Sequence, residues 1–269
     1  MKPVLFLTTL LGLIALTGSD YKLSDGTVCP VQGKAESPKV QDLNKHKNRD
    51  QAPAPGNIDG SVTLHAMLAP APDGDDDRFS QEKAATIQGF VVSVKTSQTP
   101  ESCNCYADKP VDEDTHIEVA LSKHAPGKQC VIVEVTPRLR KLMANANPHD
   151  DWSTNGLRGK LTGKWVQFTG WLTWDFMHAD KSENSQPGHA GNFRATAWEI
   201  HPVTAIRVLA APPPEELAPS HMAAFQAAAS SAVSRDPARQ DAMRKRLAGY
   251  LKGLTPRELQ EKEAEDKEH

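Results

Sequence analysis

Long apolar runs, a strong net charge and the short signatures of common active sites are all missing from this chain of 269 residues. The longest apolar stretch is Pro3 to Leu16, whereas a membrane-spanning helix needs about 20 such residues. No transmembrane segment is therefore expected in the mature chain. The net charge is −3, so there is no global pull toward nucleic acid or anionic lipid. There is no H-E-x-x-H, no G-x-S-x-G and no D-x-D-x-D-G loop. A zincin helix, a nucleophile elbow and an EF-hand are excluded. Ser102 sits in E-S-C-N-C instead. Aromatics make up only 6% of the residues, yet Trp165, Trp171, Trp174 and Trp198 crowd one region, where a core is expected.

What is present begins with an export signal. Lys2 is a positive n-region, Pro3 to Leu16 an apolar h-region, and Thr17, Gly18 and Ser19 suit a signal peptidase. Residues 1–19 read as a cleaved signal peptide, which predicts a secreted or periplasmic protein. No cysteine follows the h-region, so a lipid anchor is not supported. Export makes Cys29, Cys103, Cys105 and Cys130 candidate disulfide partners. A direct Cys103–Cys105 bridge would be strained. One bridge to Cys29 and one to Cys130 is expected.

Residues 20–83 form a polar arm, within which SVTLHAM (61–67) is a candidate edge strand and APAPDGDDD (69–77) a loop. Strand patterns follow at 84–96, 115–122, 130–137, 164–176 and 193–209, with a short helical pattern at 138–147 and a connector at 150–163. Strand, strand, strand, helix, strand, strand is the order of the OB-fold, a five-stranded Greek-key barrel. A mainly β, OB-like barrel over 84–210 is the expected fold. Pro202 fits only an edge or a bulge. Residues 211–219 read as a proline-rich linker and 220–269 as a helical tail. In the tail Asp236-Pro237 starts one helix and Thr255 to Glu258 form a capping box for another, polar enough to fray.

Three polar clusters are candidates for chemistry: Glu101 to His116, Trp174 to Asn184, and RATAWEIHPV (194–203). In an OB barrel the first two would occupy loops that flank one open face. Asp114, His116, Asp175, His178, Asn184, Arg194, Glu199 and His201 are the candidate ligand-binding residues. Arg194 would grip an anionic group, and the histidines and Asn184 would orient it. His116, His178 and His201 are candidate ligands for a divalent transition metal, with Glu199 or Asp114 as general base in a metal-assisted hydrolase. The alternation puts Glu199 and His201 on one strand face and Arg194 on the other. The tryptophans are either stacking platforms for a polymer or core packing.

The segments DTHIEVAL, VIVEVTPRLR, GKWVQFTGWLTWD and NFRATAWEIHPVT together resemble a group of bacterial exported proteins of uncharacterised function. In these an OB-like domain ends in a W-R-A-T-A-W-E-I-H-P-V-like segment. The resemblance covers roughly residues 84–209 and carries no activity to transfer. Phe193 stands where the group has Trp. The expected function is a non-catalytic binding module for a polar or anionic ligand: a glycan, a nucleic acid or a protein. The alternatives are the metal-assisted hydrolase, nuclease- or phosphodiesterase-like, and an interaction protein that works through its tail.

Overall fold

Alternate burial fixes which face of a strand turns inward, and the chain applies it in five segments after a long arm. The computed structural model describes residues 18–70, 75–213 and 237–268. The segment read as a signal peptide, up to residue 17, the centre of the acidic loop, most of the segment read as a proline-rich linker and the expected Asp236 cap fall outside those residues.

The arm opens with a hairpin of β1 (Tyr21–Lys22) and β2 (Val28–Cys29). Helix α1 (Pro38–Lys47) follows. Ser37 caps it by accepting from the Val40 N–H, and Pro38 occupies the first turn, where no N–H is needed. The edge strand expected at 61–67 is not formed. Helix α2 (Leu64–Leu68) is there instead. Thr63 accepts from the Ala66 N–H, and Leu64, Met67 and Leu68 bury with helical spacing.

Strands β3 (Ala84–Thr96), β4 (Thr115–Ala120), β5 (Val131–Val135), β6 (Trp165–Trp174) and β7 (Trp198–Val208) close into a mixed barrel in the order β3-β4-β5-β7-β6. Among the five barrel strands the one parallel pairing sets Val133 of β5 beside Ile200 of β7. Two helices, α3 (Pro137–Ala146) and α4 (Thr154–Leu161), join β5 to β6 where one was expected. The connector read at 150–163 hides the second, whose N-cap Ser153 accepts from the Gly156 N–H. The apolar alternates, among them Ile87, Ile117, Val133, Phe168, Leu172 and Ile200, fill the interior.

Pro202 sits at a bulge. Gly170 pairs with Val203 and Leu172 with Ile200, so Trp171 alone faces His201 and Pro202. A Cβ on Gly170 would lie 2.3 Å from the Pro202 carbonyl oxygen, so only glycine fits.

The tail packs on the barrel. Helix α5 (Pro237–Leu251) buries Leu247, and Met243, Tyr250 and Leu254 lean on the core. Helix α6 (Pro256–Glu265) forms the capping box and does not fray. Its Glu258, Glu261, Lys262 and Glu265 are buried, each against a partner named below. Among the described residues no helix is long and apolar enough to cross a membrane.

The cysteines follow half of the expected pairing. Cys29 and Cys105 form a disulfide, whereas Cys103 and Cys130 are buried free thiols. Cys103 and Cys105 flank one tight turn with Cys105 in the left-handed region, so they point to different neighbours.

Candidate functional site

Ile117, Val133 and Ile200 point into the barrel. Period two then puts His116, Glu134, Glu199 and His201 on the outer wall of β4, β5 and β7. That wall is not an open face. Lys47 of α1, the chain from Glu101 to Asp114, and α6 lie over it, and all eight predicted site residues are buried. None presents a charged group to a polymer, and Arg194, 1% exposed, is not available to grip an anion.

The RATAWEIHPV segment forms a relay. The Arg194 guanidinium donates to Glu199 Oε1, and Glu199 Oε2 lies 3.2 Å from His201 Nδ1. The strand ladder starts only at Trp198, so Arg194 precedes it and reaches Glu199 despite the alternation. His201 is 3.4 Å from Glu134 Oε2 through Nδ1 and 3.5 Å from Asp114 Oδ2 through Nε2. His116, directly across the ladder from Glu134, puts its Nε2 3.3 Å from the same Glu134 Oε2 and 3.6 Å from Glu101 Oε1. One ligand atom each from Asp114, Glu134 and His201 lies within 4.8 Å of the other two. Asp114 Oδ1, Glu134 Oε2 and His201 Nε2 are buried without a hydrogen-bond partner among the described residues.

Burial opposes charge on both imidazoles, but the carboxylates outweigh it. Glu134 and Glu101 hold the His116 pKa well above its ordinary value, and Glu134, Glu199 and Asp114 raise that of His201. Burial and the Glu101 charge push Asp114 up to about 6. Glu134 is held well below its usual range, because His116 and His201 overcome its desolvation. Cys103, buried beside Glu101 and Asp114, has a strongly raised pKa.

His178 does not join His116 and His201. Its Nε2 lies 2.6 Å from Glu265 Oε2 of α6, and its Nδ1 3.4 Å from Asp266 Oδ1. Asp175 caps the turn that carries it and pairs with Lys47 at 2.8 Å. Lys47 is also 3.8 Å from Glu101 Oε2, so the first and second polar clusters meet across one lysine. Asn184 has left the site: its amide donates to the carbonyls of Met67 and Ala69 and fastens the arm. The tryptophans are packing groups. Trp171 donates to the Gln51 carbonyl beneath Arg49, and Trp174 and Trp198 pack against each other at a tilt in the core.

Lys47, Glu101 and Glu134 were not among the predicted site residues. Glu134 had a signal: it is the one acid in the buried strand VIVEV, and the ladder sets it opposite His116. Lys47 had none, because its place depends on the fold of the arm.

Comparison of the chain with family models, with curated proteins and with solved structures returned no match.

Proposed function

We propose that this is an exported, non-catalytic metal-binding module whose core is an OB-fold and whose ligand is a divalent transition metal held by Asp114, Glu134 and His201. The strand order and the parallel β5–β7 contact support the fold reading. The observation that carries the function is the convergence of the three donors, each no more than 2% exposed, with one ligand atom of each within 4.8 Å of the other two. Asp114 Oδ1 has no donor among the described residues, and such a buried carboxylate oxygen is costly unless a cation neutralises it. Glu199 on Nδ1 of His201 reproduces the carboxylate–histidine arrangement that orients a metal-bound ring, and Arg194 fixes Glu199 in turn. Three protein donors leave the fourth position of a tetrahedral ion open, but burial of all three to 2% exposure or less keeps a substrate from reaching it, which supports a sequestering rather than a catalytic site. The His116–His178–His201 ligand set and a general-base role for Glu199 are given up in this reading.

The test is metal content. Protein stripped with a chelator and re-equilibrated with micromolar zinc is expected to retain metal after gel filtration and to melt at higher temperature. His201→Gln and Glu134→Gln are expected to lose that retention. A wild-type chain that keeps no metal and gains no stability overturns the reading.

A second reading rests on a groove of about 720 Å³ between the β1–β2 hairpin and α3–α4. Tyr21, Trp152, Lys22 and Lys141 line it together with Asp112, Asp150 and Asp151, a combination that suits a small polar ligand with a flat ring. Trp152→Ala would abolish such binding and leave metal content unchanged.

A further inference from the structure

Asp114 belongs to two clusters. The first is the set with Glu134 and His201. The second joins Glu101, Cys103 and Asp114, whose ligand atoms also lie within 4.8 Å of one another. Cys103 Sγ is 3.3 Å from Glu101 Oε2 and 3.9 Å from Asp114 Oδ2. Bond lengths of about 2.0 Å to oxygen or nitrogen and about 2.3 Å to sulfur give tetrahedral edges of about 3.3 Å and about 3.6 Å. The distances around Cys103 bracket the sulfur–oxygen edge. Asp114 Oδ2, which faces Cys103, is also 3.5 Å from His201 Nε2, so one carboxylate oxygen lies between the two clusters, while the fully buried Oδ1 has no hydrogen-bond partner among the described residues.

Lys47 does not neutralise this cluster, because its close partner is Asp175 at 2.8 Å and it stands 3.8 Å from Glu101.

We infer that Glu101 and Cys103 form a second metal position, bridged to the first by the Asp114 carboxylate, so that the wall of the barrel holds a two-metal centre with one thiolate ligand. This rests on the metal-binding reading above. As the metal–sulfur bond forms, the Cys103 thiol releases its proton to solvent, and no oxidation is involved. Two-metal sites place their ions about 3.5–4 Å apart, a span that one bridging carboxylate covers. Cys103 is thereby separated in role from its neighbour Cys105, which is committed to Cys29.

The experiment is a cobalt(II) chloride titration of the stripped full chain, anaerobic and without reductant so that the Cys29–Cys105 bridge stays closed. Two equivalents per chain are expected, one of them with a sulfur-to-cobalt charge-transfer band in the near ultraviolet. Cys103→Ser, with Cys103→Ala as a second variant should serine disturb the turn, is expected to lose the band and one equivalent while keeping the visible cobalt bands of the other. One equivalent without the sulfur band in the wild type overturns the second position and leaves the first intact. No bound cobalt overturns both.

Discussion

Glu199 Oε2 lies 3.2 Å from Nδ1 of His201, two residues along the same strand face, while the other carboxylate oxygen takes the Arg194 guanidinium. The carboxylate thereby sets which imidazole nitrogen is turned away from it and toward Asp114.

That relay makes Glu199 a positioning residue. Glu199→Gln keeps the shape and removes the charge. Outer-sphere partners of a ligating histidine typically contribute 10–100-fold in affinity. A loss of that size in zinc affinity, measured by competition with a chromogenic chelator, is expected, with a fold unchanged by circular dichroism. Unchanged affinity would show that Glu199 does not act through His201.

His178 ties α6 to the barrel, and its pKa is raised to about 9. Burial and Arg194 oppose the charge; Asp175, Asp266 and Glu265 favour it and win. Because the folded value exceeds the unfolded one, the contribution is complete below about pH 6.5 and is lost as pH rises through about 9. The shift corresponds to about 3 kcal/mol at most. The melting temperature is expected to fall between those pH values, and His178→Gln is expected to flatten that slope. A slope equally steep in the variant would put the titration elsewhere.

Two glycines give opposite expectations. Gly170→Ala forces a Cβ to within 2.3 Å of the Pro202 carbonyl and 2.6 Å of Ile200 Cγ2, and the bulge that carries His201 must open. Loss of several degrees in melting temperature, together with weaker metal retention, is expected. Gly159 in α4 has nothing within 4 Å of its virtual Cβ. Gly159→Ala is expected to stabilise by about 0.5–1 kcal/mol through helix propensity. Denaturant melts of both variants check the pair.

The Cys29–Cys105 bridge closes a loop with a sequence separation of 76. Chain-entropy arguments give about 4 kcal/mol for such a loop, and measured losses are often smaller. Cys29→Ala is expected to lower the denaturation midpoint and to expose the β1–β2 hairpin to proteolysis before the barrel is cut. Simultaneous cleavage of both would show that the hairpin and barrel open as one unit.

The barrel was legible because its signals are local: period two in THIEVAL and CVIVEVTP, and Gly170 and Pro202 marking the bulge. Helix α4 was not, because Gly156 and Gly159 mask its periodicity and only the Ser153 cap announces it. His201, His116 and Asp114 could be named from sequence, since polar residues in strands stand out. Lys47, which pairs with Asp175 and Glu101, could not be, because it lies in an arm without strand or barrel pattern and reaches the wall only by tertiary packing. The polar helix α6 misled for a related reason. Its buried face is ionic, with Glu258 accepting from the Glu36 and Ser37 N–H groups, Glu261 from the Ser102 N–H, Glu265 meeting His178, and Lys262 meeting Asp180. Hydrophobic periodicity is blind to such a face.

The grip of Glu258 on the two amides just ahead of α1 joins segments more than two hundred positions apart. Synthesis delivers the receiving end early and the gripping end late. Until the late segment arrives, the Ser102 turn beside Glu101 and Cys103 lacks the Glu261 carboxylate that accepts from it, and the proposed ion would enter from solution without prising α6 away. Loading would thus belong to maturation, and an ion once enclosed would exchange on the clock of that helix lifting away.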